Sequence, residues 1–71
     1  MLLSLPSNLR IFVARSAVDM RKSFDGLSLM VQHQFGREPF SGDLFAFFNR
    51  QRDRVKLLLW DGNGFWVLAK R

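Results

Sequence analysis

The chain has 71 residues, 48% of them apolar, and sets 11 lysines and arginines against six acids for a net charge of +5. That length holds one domain, residues 1–71, with a marginal core, because a chain this short buries only about 60% of its unfolded surface. Cysteine is absent and His33 stands alone; this excludes disulfides, thiolate catalysis and clustered Cys or His metal sites, while the apolar content excludes a disordered tail.

Residues 1–8 read as an irregular lead-in, since Pro6, Ser7 and Asn8 resist regular structure. No basic residue precedes the leading leucines, which argues against a signal peptide. No apolar run approaches the ~18 residues of a membrane span. An intracellular protein with no membrane partner is expected. Leu9 to Ala14 alternates, with Leu9, Ile11 and Val13 on one side and Arg10, Phe12 and Ala14 on the other. Period two with β-branched and aromatic residues predicts a strand.

The next segment predicts a helix. Met20, Phe24, Leu27, Val31 and Phe35 fall on one stripe at the helical period, and Gly36 is a natural stop. Two starts compete: Ser16 with Asp19 as a capping box, or Asp19 alone as the cap. Gly26 inside the helix costs about 1 kcal/mol relative to alanine, and close approach to a sheet, or a kink, would explain it.

Arg37 to Gly42 reads as a loop, followed by strands over Leu44–Phe48, Val55–Trp60 and Phe65–Ala69. Asp61-Gly62-Asn63-Gly64 is a hairpin signal. Closed symmetrically, it sets Trp60 opposite Phe65, Leu58 opposite Val67, Lys56 opposite Ala69 and Arg54 opposite Arg71. One face then shows Val55, Leu57, Leu59, Trp66 and Leu68, an expected floor for the helix. The register of the earlier hairpin, across Asn49 to Asp53, stays open. The expected fold is α+β, in the order β-α-β-β-β, an antiparallel sheet with one helix packed on one face.

The acids Asp19, Asp25, Glu38, Asp43, Asp53 and Asp61 each have an ordinary structural use as caps, turn residues or strand flanks. No catalytic residue, metal site or cofactor is therefore expected, and the chain is read as no enzyme. The densest charge is Asn49 to Lys56. On a hairpin, Arg50, Arg52, Arg54 and Lys56, with Lys70 and Arg71 at the strand ends, would form a ridge for the phosphate backbone of DNA. A solvated hairpin tip is the plainer alternative. Trp60 and Phe65, with Phe45 or Phe47, would serve either as a stacking platform for unpaired bases or as a core or homodimer interface.

Two stretches carry more than composition. They are Asp19-Met20-Arg21-Lys22-Ser23-Phe24-Asp25-Gly26-Leu27 and the run from Pro39-Phe40-Ser41-Gly42-Asp43-Leu44 through Trp60-Asp61-Gly62-Asn63-Gly64-Phe65-Trp66 to Lys70-Arg71. In order and spacing, residues 8–71 resemble the TnpB (Orf2-like) accessory proteins of the IS-66 family of bacterial insertion sequences. The resemblance implies a cytoplasmic bacterial protein that assists DNA transposition beside a separate transposase subunit, which carries the acidic catalytic triad. Family members usually continue past the position of Lys70-Arg71, so the resemblance also implies a shortened C-terminus. It further marks Asp19, Met20, Arg21, Lys22, Phe24, Asp25, Gly26, Leu27, Trp60, Asp61, Gly62, Gly64 and Trp66 as motif residues, either structural or partner-binding. Two functions follow as expectations: a DNA-binding accessory protein, or a module that docks on the transposase or on itself through an aromatic sheet face.

Overall fold

The computed structural model describes residues 8–71, so the lead-in expected over 1–8 lies almost wholly outside the described residues. The alternation of the first strand holds. β1 (Ile11–Val13) turns Phe12 toward the core, with Ala14 buried beyond it, and leaves Ile11 and Val13 exposed.

The helix does not begin at Ser16 or Asp19. Asp19 opens a turn instead: its carbonyl accepts the Lys22 N–H at 3.1 Å and its carboxylate accepts the Arg21 N–H at 2.9 Å. A short carboxylate that bonds its own backbone two residues on offers the chain an alternative to helix. α1 (Phe24–Met30) starts after Ser23 and runs into a π-helical turn over Val31–Phe35. Gly36 ends it at φ +60°, as expected of a left-handed stop. Of the expected stripe, Leu27 and Val31 are fully buried and Phe35 packs on Phe45. Phe24 is half exposed and lies on the ring of Phe65, centroids 5.7 Å apart.

A 3₁₀ turn, Pro39–Ser41, precedes β2 (Leu44–Phe48), β3 (Val55–Trp60) and β4 (Phe65–Lys70). The sheet order is β1-β2-β3-β4. The fold is α+β, but the sheet is mixed: β1 runs parallel to β2, while β2, β3 and β4 form an antiparallel meander. The expectation of a wholly antiparallel sheet is thereby corrected, and the element order departs from β-α-β-β-β by the π-helical and 3₁₀ turns. The physical reason is the connection. A helical crossover from Ala14 to Asp43 returns the chain to the same end of the sheet, so its flanking strands run the same way.

The last hairpin closes as expected, with Trp60 paired to Phe65, Leu58 to Val67 and Lys56 to Ala69. Its faces are the reverse of the expectation. The helix packs on Phe12, Phe45, Phe47, Leu58 and Val67, not on Leu57, Leu59, Trp66 and Leu68. Both faces of the hairpin are apolar, so β2 decides. Phe45 and Phe47, fully buried, pair with Leu58 and Lys56 and share their face. Phe12, Phe35, Phe45 and Phe47 form one ring cluster, with centroids 5.5 to 6.4 Å apart. Burying each such ring contributes about 1.5–3 kcal/mol.

Candidate nucleic-acid interface

The β2–β3 loop is built by Asn49. Its side-chain oxygen accepts the Asp53 and Arg54 N–H groups at 3.2 and 3.0 Å, and its amide donates to Asp53 Oδ1 at 2.7 Å. The loop thus consumes Asp53 internally and throws its arginines outward. Arg52 adopts φ +59°, a left-handed conformation that costs a non-glycine residue about 1 kcal/mol. The register left open by the sequence closes with Phe48 opposite Val55.

Around this loop the fold gathers cations from distant segments. Arg50 and Arg52 line a groove of about 100 Å3 with Arg15 and Ser16, which follow β1. Arg52, Arg54, Lys70 and Arg71 line the next, of about 210 Å3. A third, of about 180 Å3, is walled by Arg54, Lys56, Lys70 and Arg71. The six expected DNA-contacting residues therefore lie along one end of the sheet, joined there by Arg15, which the ridge reading did not include. Its isolation between Ala14 and Ser16 gave no signal, because only the parallel pairing of β1 carries it to the hairpin loop.

Lys56 differs from the others. It sits half-buried on the helix side of the sheet, and its ammonium donates to the Lys22 carbonyl at 2.8 Å. That bond joins the sheet to the chain ahead of α1 and commits Lys56 to the fold. Two ion pairs occur among the described residues. Arg21 pairs with Asp19 at 2.7 Å, and Arg10 pairs with Asp43 at 3.0 Å. The Arg10 pair is invisible to local patterns because its partners lie 33 positions apart. Asp43 is buried, which opposes its ionisation, yet hydrogen bonds from Arg10 and the Ser41 hydroxyl outweigh burial and hold its carboxyl below the ordinary 3.8. Among the described residues no three acids or His33 converge as a metal-binding group, and no helix is long and apolar enough to cross a membrane.

The model of the IS66 Orf2-like family matches residues 9–71. The chain belongs to that family. Two relatives come from Sinorhizobium fredii (strain NBRC 101917 / NGR234). "Uncharacterized protein y4jC" is 37% identical over 62 residues, covering 87% of this chain and 53% of that protein. "Uncharacterized protein y4hO" is 38% identical over 69 residues, covering 94% and 60%. The chain thus spans little more than half the length of the curated relatives it matches. No solved structure matches it.

In this IS66 Orf2-like chain the two motif stretches have structural work to do. Asp19 and Arg21 form a turn, with the Arg21 guanidinium holding the Asp19 carboxyl well below the usual carboxylate range. Met20 packs on the core and Leu27 fills its centre. Asp25 lies exposed in the first turn of α1. Gly26 does not approach the sheet; an added Cβ there would meet the Lys22 side chain at 3.3 Å. Asp61 collects the N–H groups of Asn63 and Gly64 and the indole N–H of Trp66, the last at 2.7 Å. The Asn63 bond, then that of Trp66, lowers its pKa. Gly62, at φ +98°, takes a conformation that L side chains avoid. Trp60 and Phe65 pack on each other and on Phe40, on the helix side of the sheet. They are not a bare stacking platform.

Proposed function

We propose that the chain is a non-catalytic accessory protein of insertion-sequence transposition that binds DNA through its arginine-lined end. Membership in the IS66 Orf2-like family supplies the setting. The carrying observation is the convergence of Arg15, Arg50, Arg52, Arg54, Lys70 and Arg71, from three separate segments, on one end of the sheet. Asp53 is the single acid lining those grooves, and Asn49 binds it. Such a strip matches a phosphate backbone, whose affinity for arginine comes from released counterions.

Fluorescence anisotropy with labelled DNA, repeated across a salt series, tests this. Binding should weaken steeply as salt rises. The variant Arg52→Gly plus Arg54→Ala should reduce the slope of log K against log salt by about 1.4–1.8, near 0.7–0.9 for each phosphate contact. Arg52→Gly is chosen because glycine accepts the left-handed backbone, so lost binding reflects lost charge. No binding at low salt, or an unchanged slope in the variant, sinks the reading.

A second reading has its own observation. The sheet face away from the helix leaves Ile11 60% and Val13 51% exposed. Docking of this face on the transposase subunit of the same element, or on a second copy, would bury them. Association that is insensitive to salt separates this reading from the first.

A further inference from the structure

A groove larger than the three along the arginine strip lies beside them, between the end of β1 and the π-helical turn. It has a volume of about 650 Å3, within the roughly 300–1,000 Å3 span of clefts that hold small organic ligands. Phe12 and Phe35 form its aromatic wall, and Arg15, Ser16, Gln34 and Arg37 its polar wall. No acid lines it. Arg15 and Ser16 also line the groove of Arg50 and Arg52, so the two depressions share a wall.

We propose that this groove is a subsite for one unpaired nucleotide of a DNA strand whose backbone follows the arginine strip. The inference rests on the DNA-binding reading for its strand, and on the groove alone for its nucleotide. Phe12 stacks on Phe45 at 5.7 Å and meets Phe35 edge-on at 6.4 Å, and it carries two guanidinium groups, Arg37 with its central carbon 4.0 Å from the ring centroid and Arg10 at 5.7 Å. Arg37 makes no ion pair among the described residues, although Asp43 lies within reach of its charge. Arginine planes supported by a ring are platforms on which unpaired bases stack. Arg15 is exposed and has neither a hydrogen bond nor an ion pair among the described residues, which leaves its fork for a phosphate. Gln34 and Ser16 offer an amide and a hydroxyl, the groups that read a base edge.

The local fold explains why these groups meet. The wide π-helical turn, closed by the Arg37 N–H on the Val31 carbonyl at 3.3 Å and by Gly36 at φ +60°, brings Gln34 and Arg37 round to the end of β1. Turns of this width recur at functional sites. A paired base is stacked inside its duplex and cannot enter such a groove, so the subsite favours single strands or frayed ends.

Two measurements on the full chain test the idea. In the first, deoxythymidine monophosphate is titrated into isotope-labelled protein. Shifts should be confined to residues 12–16 and 34–37, including the Gln34 side-chain amide, and should vanish in Arg15→Ala. In the second, anisotropy compares a short single strand with its blunt duplex. The single strand should bind roughly five- to tenfold more tightly, the lower part of what one stacked base contributes. Arg37→Lys, which keeps the charge but not the plane, and Gln34→Ala should erase that preference and leave duplex binding unchanged. Equal affinity for the two forms with no nucleotide shifts overturns the subsite while the arginine strip stands. Localised nucleotide shifts with no binding of either oligonucleotide uphold the subsite and overturn the strip. An Arg37→Lys protein that keeps full strand preference also overturns the subsite.

Discussion

Asp43 shows how a single buried acid governs behaviour that composition does not report. It is 6% exposed, yet ionised, because Arg10 grips both oxygens and Ser41 donates to one of them. A carboxyl whose folded pKa lies below its unfolded value stabilises the fold above the ordinary pKa near 3.8 and loses that contribution as pH falls through the folded value. Asp43→Asn should therefore lower neutral-pH stability by about 1–2 kcal/mol, a range kept small because the Arg10 guanidinium is largely exposed and screened. Denaturant melts at pH 7 and pH 3 check this: the wild type should lose much more stability than the variant between the two. Equal losses would show that the pair is energetically idle. This bond was not legible in the sequence, where Arg10 reads as one more strand residue and Asp43 as a flank. The bonds around Asp61 were nearer to hand, since the turn signal already placed it beside Gly62.

At the scale of elements, the hairpin register was readable because Asp-Gly-Asn-Gly admits few closures, and the parity of β1 was readable because alternation needs no partner. The start of α1 was not. Asp19 satisfies a helix cap and a two-residue side-chain turn equally well in sequence, and the turn wins where Arg21 supplies both an N–H and a guanidinium. The face that receives the helix was also hidden, since period two assigns residues to two faces without ranking them when both are apolar. Gly26 gives an element-scale test. The nearest atoms its added Cβ would meet are Lys22 methylenes, and the exposed Lys22 side chain can yield. Gly26→Ala should thus stabilise the fold by somewhat less than the ~1 kcal/mol difference in helix propensity. A thermal melt checks the sign, and a lower midpoint would mean that the Lys56 bond to the Lys22 carbonyl had been disturbed.

At the scale of the molecule, the four-stranded sheet carries a helix on one side only among the described residues. The other side mixes buried Leu44, Ala46 and Leu59 with exposed Ile11, Val13 and Leu68. If that side docks on a protein, Ile11→Lys should abolish association with the transposase subunit, or self-association, in size-exclusion runs while leaving DNA affinity unchanged. An unaltered elution profile would remove this face from consideration. The candidate DNA site was half legible for a reason of scale. The hairpin cations are neighbours in sequence, whereas Arg15 joins them only through the pairing of β1 with β2.

That crossover has a kinetic side. β2, β3 and β4 are joined by short loops and can zip together early, but the three residues of β1 must find β2 across a long intervening chain, and non-local pairings of this kind form late. Phe12, Arg15 and Ser16 ride on or beside that strand. The meander is thus a persistent frame, while the aromatic groove is assembled last and dismantled first, its lifetime set by how often one short edge strand lets go.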